Sequence, residues 1–213
     1  MALENRSDSG QFITILNGKF CQRVPQHTEG AVTRINKLGK TVYEKFYDSF
    51  TAKLIGIRTQ ESAQYGKSWL FDFQDGGEVY HLQLSYSNSF ATAFLKMLPN
   101  VDLTQEMKVA PSVKEVDGKM KSSLFISQNG TPIKHAFTKD APNGMPDMEQ
   151  ITVKGTLVWD DTKRLAFLQN MVDNVIIPKL PKPETNSSQA PTTGLENLSA
   201  GIDDDIDPED IPF

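Results

Sequence analysis

TVYEKFYDSFTAKLIGIRTQ, residues 41–60, is the stretch on which the reading of the fold turns. Its β-branched and aromatic content favours extended chain over nearly its whole length, so it predicts one long strand, Thr41–Gln60. Gly56 lies inside it, where a strand can bend. Strand alternation sets Tyr43, Lys45 and Tyr47 on one face and Phe46 and Phe50 on the other. A helical reading also exists, because Tyr43, Tyr47, Phe50 and Leu54 form an amphipathic stripe.

Working outward, the runs Lys67–Gln74, Glu78–Tyr86, Glu106–Val116 and Lys119–Gln128 read as further strands. Asp75-Gly76-Gly77, Asp117-Gly118 and Asn129-Gly130 supply turn residues that tolerate positive φ. A short helix fits Asn88–Leu98, with Phe90, Phe94, Leu95 and Leu98 on one stripe and Pro99 just beyond. Strand–strand–strand–helix–strand–strand is the order of the OB-fold, a five-stranded Greek-key barrel whose long first strand pairs on both sides and which often binds oligonucleotides. A β sandwich or another small barrel is the alternative. The expected class is therefore mainly β, an OB-fold barrel with added strands at Phe12–Leu16 and Lys19–Val24, and with residues 131–158, including Ile151–Trp159, as additions that extend or brace it. A helix follows over Asp161–Ile177, started by Asp160 or Asp161 and stopped by Pro178. Its stripe is Leu165, Leu168, Met171, Val172, Val175 and Ile176.

The chain has 213 residues, 38% hydrophobic and 23% charged, the composition of a globular protein. No apolar run approaches the roughly 18 residues that span a bilayer, and Met1–Asn5 lacks the basic and apolar start of a secretory signal. A soluble, cytoplasmic protein is expected. The net charge of −5 conceals a division. Residues 184–213 carry eight acids and no Lys or Arg; the rest sets all 22 bases against the remaining 19 of 27 acids, a surplus of three. Pro181 to Gly201 is rich in Pro, Ser, Thr and Asn and reads as a disordered linker. The expected organisation is a binding domain over 1–178, a linker over 179–202 and an acidic tip over 203–213.

Residues 31–67 set seven cations (Arg34, Lys37, Lys40, Lys45, Lys53, Arg58 and Lys67) against Glu44, Asp48 and Glu61, with tyrosines interleaved. Cations beside flat rings suit single-stranded nucleic acid, since phosphates need positive charge and every base offers a π face. The candidate DNA-binding residues are Lys37, Lys40, Tyr43, Lys45, Tyr47, Arg58, Tyr65, Lys67 and Trp69. Trp69, Phe71 and Phe73 alternate in a way that favours the core, while the place of Trp69 near the strand's start also suits the groove edge. Lys119, Lys121 and Phe125, in phase after the Asp117-Gly118 turn, form a second candidate surface, with solvated lysines as the plain alternative.

The C-terminus is the most specific feature: Asp203, Asp204, Asp205, Ile206, Asp207, Pro208, Glu209, Asp210, Ile211, Pro212 and Phe213. An apolar end with a free carboxylate behind an acidic run is built as a peptide hook for a pocket with a basic rim. Here the chain resembles the single-stranded DNA-binding proteins of bacteria and bacteriophages, whose bacterial members end Asp-Ile-Pro-Phe, as Asp210-Ile211-Pro212-Phe213 does. The elements outside the barrel favour a bacteriophage type, working in the host cytoplasm. The resemblance implies two tasks: coating and protecting single-stranded DNA in replication, recombination or repair, and recruiting partner proteins through the tip. It assigns partner binding to Asp203, Asp204, Asp205, Asp207, Asp210, Ile211, Pro212 and Phe213. Homo-oligomerisation stays open. The alternative is a β-rich adaptor that uses the hook without touching DNA.

Enzymatic readings find little support. Gly66-Lys67-Ser68 resembles the end of a phosphate-binding loop, but position 61 is Glu61 where that loop needs glycine. His27, His81 and His135 are far apart in sequence, Cys21 has no activating neighbour, and Asp160-Asp161 is explained as a helix start. No catalytic residue, metal or cofactor is expected.

Overall fold

A computed structural model of the chain describes residues 10–36, 39–63 and 65–181. Lys37 and the whole proposed tip therefore lie outside the described residues. The fold is mainly β. In chain order the elements are β1 (Gln11–Leu16), β2 (Lys19–Arg23), β3 (Val32–Ile35), β4 (Thr41–Tyr47), β5 (Phe50–Ser62), β6 (Gly66–Asp75) and β7 (Glu78–Ser85). There follow α1 (Ser89–Met97), β8 (Met107–Val116), β9 (Lys119–Gln128), β10 (Thr131–Pro132), β11 (Glu149–Val153), β12 (Thr156–Asp160) and α2 (Thr162–Met171). Ten strands form one mixed sheet in the order β10-β9-β8-β5-β6-β7-β1-β2-β4-β3, while β11 and β12 pair separately. Every neighbour pair is antiparallel except β7 and β1.

The expected strand Thr41–Gln60 is two strands. The chain breaks at Asp48 and Ser49, where Lys19 holds the Asp48 carboxylate at 3.0 Å. The break resets the alternation. An unbroken strand would put Phe46 and Phe50 on the same side. Instead Phe46 stays opposite Cys21 on β2, while Phe50 turns into the core, its ring 4.6 Å from Phe20 and 4.8 Å from Phe73. β5 then pairs at its start with β8 (Phe50↔Val109) and from Lys53 onward with β6. Its register slips between Leu54 and Gly56. A Cβ on Gly56 would meet Asp72 Oδ2 at 2.7 Å, so a larger residue there would have to displace the Asp72 carboxylate.

One face of the sheet, from β2 round to β9, gathers into a single core. Ile13, Ile15, Phe20, Leu54, Trp69, Phe71, Phe73, Leu82, Leu84, Met107, Val109, Leu124 and Ile126 meet there. α1 adds Phe90, Phe94 and Leu95 to it, and the Asn88 side chain caps the helix by accepting from Phe90 N–H at 2.8 Å. Pro99 falls in a 3₁₀ turn, Leu98–Asn100. Burying side chains of this size contributes roughly 1.5–3 kcal/mol each, so the core is what stabilises the curved sheet.

The C-terminal helix is shorter than expected. α2 ends at Met171 and runs into a π turn, Val172–Ile176, and a 3₁₀ turn, Ile177–Lys179, that contains Pro178. The wider π turn shifts the phase, so Val172 and Ile176 are buried whereas Val175 faces outward. Asp160 rather than Asp161 accepts from the first turn, at Thr162 N–H, 3.0 Å. Leu180 packs on the core. Ile151–Trp159, expected among the additions to the barrel, lies in a hairpin turned at Lys154-Gly155, both with positive φ. Among the described residues no helix is long and apolar enough to cross a membrane.

Candidate nucleic-acid interface

The β8–β9 hairpin carries the most cationic ladder. Asp117 (φ 54°) and Gly118 (φ 71°) make the two-residue turn that matches strand twist, and this sets Val116 opposite Lys119. Period two then does the rest. Met107, Val109, Leu124 and Ile126 point into the core, while Lys108, Ala110, Ser112 and Lys114 point out beside Lys119, Lys121, Ser123 and Phe125. Lys114 sits directly opposite Lys121. Like charges facing each other across a ladder destabilise it. None of Lys108, Lys114, Lys119 and Lys121 has an ion-pair partner among the described residues. Phe125, 58% exposed, lies in line with them opposite Ala110, so the ring stands above a low neighbour. Flat apolar surface flanked by unpaired positive charge suits a stacked base and its phosphates.

The expected face of Tyr43, Lys45 and Tyr47 exists, but not on the outside of the sheet. The ladder places Tyr47 opposite Phe20 and Lys45 opposite Gln22, and Phe20 points into the core. These side chains therefore continue the core-side face beyond the point where the sheet stops being covered. The opposite face of β4 stays out of the core. It carries Phe46, Val42 and the buried Glu44, which Arg34 grips with two bonds of 3.0 and 2.9 Å. Burial, then the nearby Glu44 carboxylate, pushes the Cys21 thiol on that face up to about 12.

Where β4 gives way to β5 a cleft of about 260 Å³ opens, lined by Gln11, Gln22, Tyr47, Phe50, Asp75 and Tyr80 among others. The Tyr47 hydroxyl donates to Gln22 Oε1 at 3.1 Å and the Tyr80 hydroxyl to Glu78 Oε2 at 2.5 Å. The Glu78 hydrogen bond pushes the Tyr80 phenol up to about 12. Rings and amides give the cleft a second place for a planar, hydrogen-bonding group. Asp75 and Glu78 leave it without the positive charge of the hairpin.

The other candidates are spread out. Trp69 is fully buried, stacks on Tyr86 at 5.1 Å and donates its Nε1–H to the Tyr86 carbonyl at 3.1 Å, so it is a core residue and offers no ring to a base. Lys67 lies 4.0 Å from the Tyr86 ring centroid and 3.4 Å from Gln169 Oε1, which ties it to α2. Arg58 is paired with Asp72, whose other oxygen is 2.5 Å from His81 Nδ1. Tyr65 is half-buried in the β5–β6 turn, and Lys40 is exposed just before β4. Lys119, Lys121 and Phe125 alone among the expected residues share one outer face of a hairpin. Lys108 and Lys114 were not expected, yet the Asp117-Gly118 turn already implies them, because a two-residue turn sets the register. No local signal pointed to Tyr80 or Gln11, which reach the cleft through the parallel β1–β7 pairing, Gln11 opposite Tyr80.

Among the described residues no group of His, Cys, Asp and Glu has an arrangement that could hold a metal ion. No family model, curated protein or solved structure matches the chain.

Proposed function

We propose that this protein binds single-stranded DNA without sequence preference, using the outer face of the β8–β9 hairpin as its main contact. The carrying observation is the exposed Phe125 on the same outer face as four lysines, two of them directly opposed across the ladder. In this reading β5–β6–β7, α1 and β8–β9 are the parts of an OB-type barrel, supported by their order and by β5 pairing at its two ends with β8 and β6. β1, parallel to β7, extends that arrangement. The Tyr47–Tyr80 cleft serves as a second contact. The acidic tip recruits replication, recombination or repair proteins while the body stays on the strand.

Stacking on one ring is worth roughly 1–3 kcal/mol per base. Phosphate neutralisation by four lysines supplies a salt-dependent share of the affinity, with a logarithmic slope of about −0.7 for each contact on single strands. Fluorescence-anisotropy titration with labelled oligo-dT tests the reading. Binding that weakens as salt rises supports it; no binding in dilute buffer removes it and leaves the adaptor.

A further inference from the structure

Away from the hairpin, a concavity of about 300 Å³ lies between α1, the segment 134–148 and the start of α2. Ser89, Thr92 and Lys96 line it from α1, His135 from the segment, and Asp161 and Arg164 from the start of α2. The walls are pinned. Ala136 N–H donates to the Lys96 carbonyl at 2.8 Å, Asn100 Nδ2 to the Lys134 carbonyl at 3.0 Å, and Arg164 Nε to the Pro146 carbonyl at 3.5 Å.

Three basic side chains thus share one hollow with a single carboxylate, Asp161. Neither Lys96 nor Arg164 has an ion-pair partner among the described residues. Burial and then Arg164 hold the Lys96 ammonium below its ordinary range, and burial and then Lys96 do the same to His135. His135 Nδ1 is buried with no hydrogen-bond partner among the described residues. Gathering repelling cations around a hollow costs stability, and an anion bound there removes that cost.

We propose that this hollow is a phosphate-binding pocket. Lys96 and Arg164 supply charge, and His135 and the hydroxyls of Ser89 and Thr92 supply further donors. A phosphate fits this better than a carboxylate does, because it offers more oxygens and carries up to two charges near neutral pH. The source is a phosphomonoester, such as a nucleotide or the end of a strand, or the phosphodiester of a bound strand. The proposal stands whether or not the hairpin binds DNA.

The test compares thermal unfolding of the full chain in phosphate and in chloride at matched ionic strength. Phosphate at about ten times its Kd is expected to raise Tm by roughly 3–6 °C. Lys96→Met and Arg164→Gln should each abolish that rise, and Lys96→Met should raise Tm in chloride, since it relieves repulsion. On nuclear magnetic resonance, the His135 imidazole, faced by Lys96, Arg164 and Asp161, should titrate at higher pH when phosphate is present. Competition by dTMP and by 5′-phosphorylated but not unphosphorylated oligo-dT identifies a monoester; equal competition by both oligomers identifies diesters. Equal Tm in the two salts, or a rise retained by both variants, overturns the proposal.

Discussion

Phe125 and Trp69 are both aromatic residues on strands, and their surroundings give them opposite roles. Phe125 projects from the uncovered side of a two-stranded arm, whereas Trp69 lies on a central strand with both sides covered. Phe125→Ala removes little packing, so Tm should hardly change while oligo-dT affinity falls by roughly 5- to 150-fold, the equivalent of one stacked base. Anisotropy and thermal melts on the same sample separate the two effects. For Trp69 the alternation with Phe71 and Phe73 favours the core, but it does not fix whether the strand lies at the edge or in the centre, so the groove edge stays open in the sequence. Cys21 illustrates a further effect of burial. Its thiol, pushed up to about 12, stays protonated at pH 8 and should react slowly with a thiol reagent until the chain unfolds. The sign follows from the raised folded pKa: the stability Cys21 contributes is complete below pH 9 and is lost as pH climbs towards 12. Fast native-state labelling at pH 8 would contradict that burial.

At the scale of elements, the β6–β7 and β8–β9 hairpins were legible, whereas the β11–β12 turn and the corner were not. Lys119–Gln128 coincides with β9, and Asp117-Gly118 sets every pair from Val116↔Lys119 to Lys108↔Ser127. Asp48-Ser49 is harder to read, since strand-forming residues flank it and only the separate destinations of Phe46 and Phe50 require a break there. The core-side location of Tyr43, Lys45 and Tyr47 depends likewise on β2 pairing with β4, a contact that alternation within one strand does not specify. The β8–β9 ladder makes a prediction in which stability and binding move in opposite directions. Lys114→Glu replaces a like-charge pair with an attractive one opposite Lys121, so stability should rise by about 0.2–1 kcal/mol while oligo-dT binding weakens. A variant that loses both stability and binding would mean that the lysine has a structural role.

For the whole molecule the decisive property is the division of charge. The body carries a surplus of three positive charges and residues 184–213 carry −8, so a chain shortened at Pro183 changes from −5 to +3. It should bind oligo-dT more tightly than the full chain at low salt, with the difference fading as salt screens the acids. Equal affinities at low salt would mean that the acidic run does not oppose the strand. This division was plain in the composition, whereas the cleft beside Tyr80 required β1 to run parallel to β7. The most direct measurement is the salt slope of oligo-dT binding for the native chain beside a Lys114→Gln, Lys121→Gln pair of substitutions. The account predicts a slope shallower by about 1.4 in the double variant, two phosphate contacts' worth, at undiminished thermal stability. An unchanged slope and affinity would contradict the hairpin as the place where the strand is held.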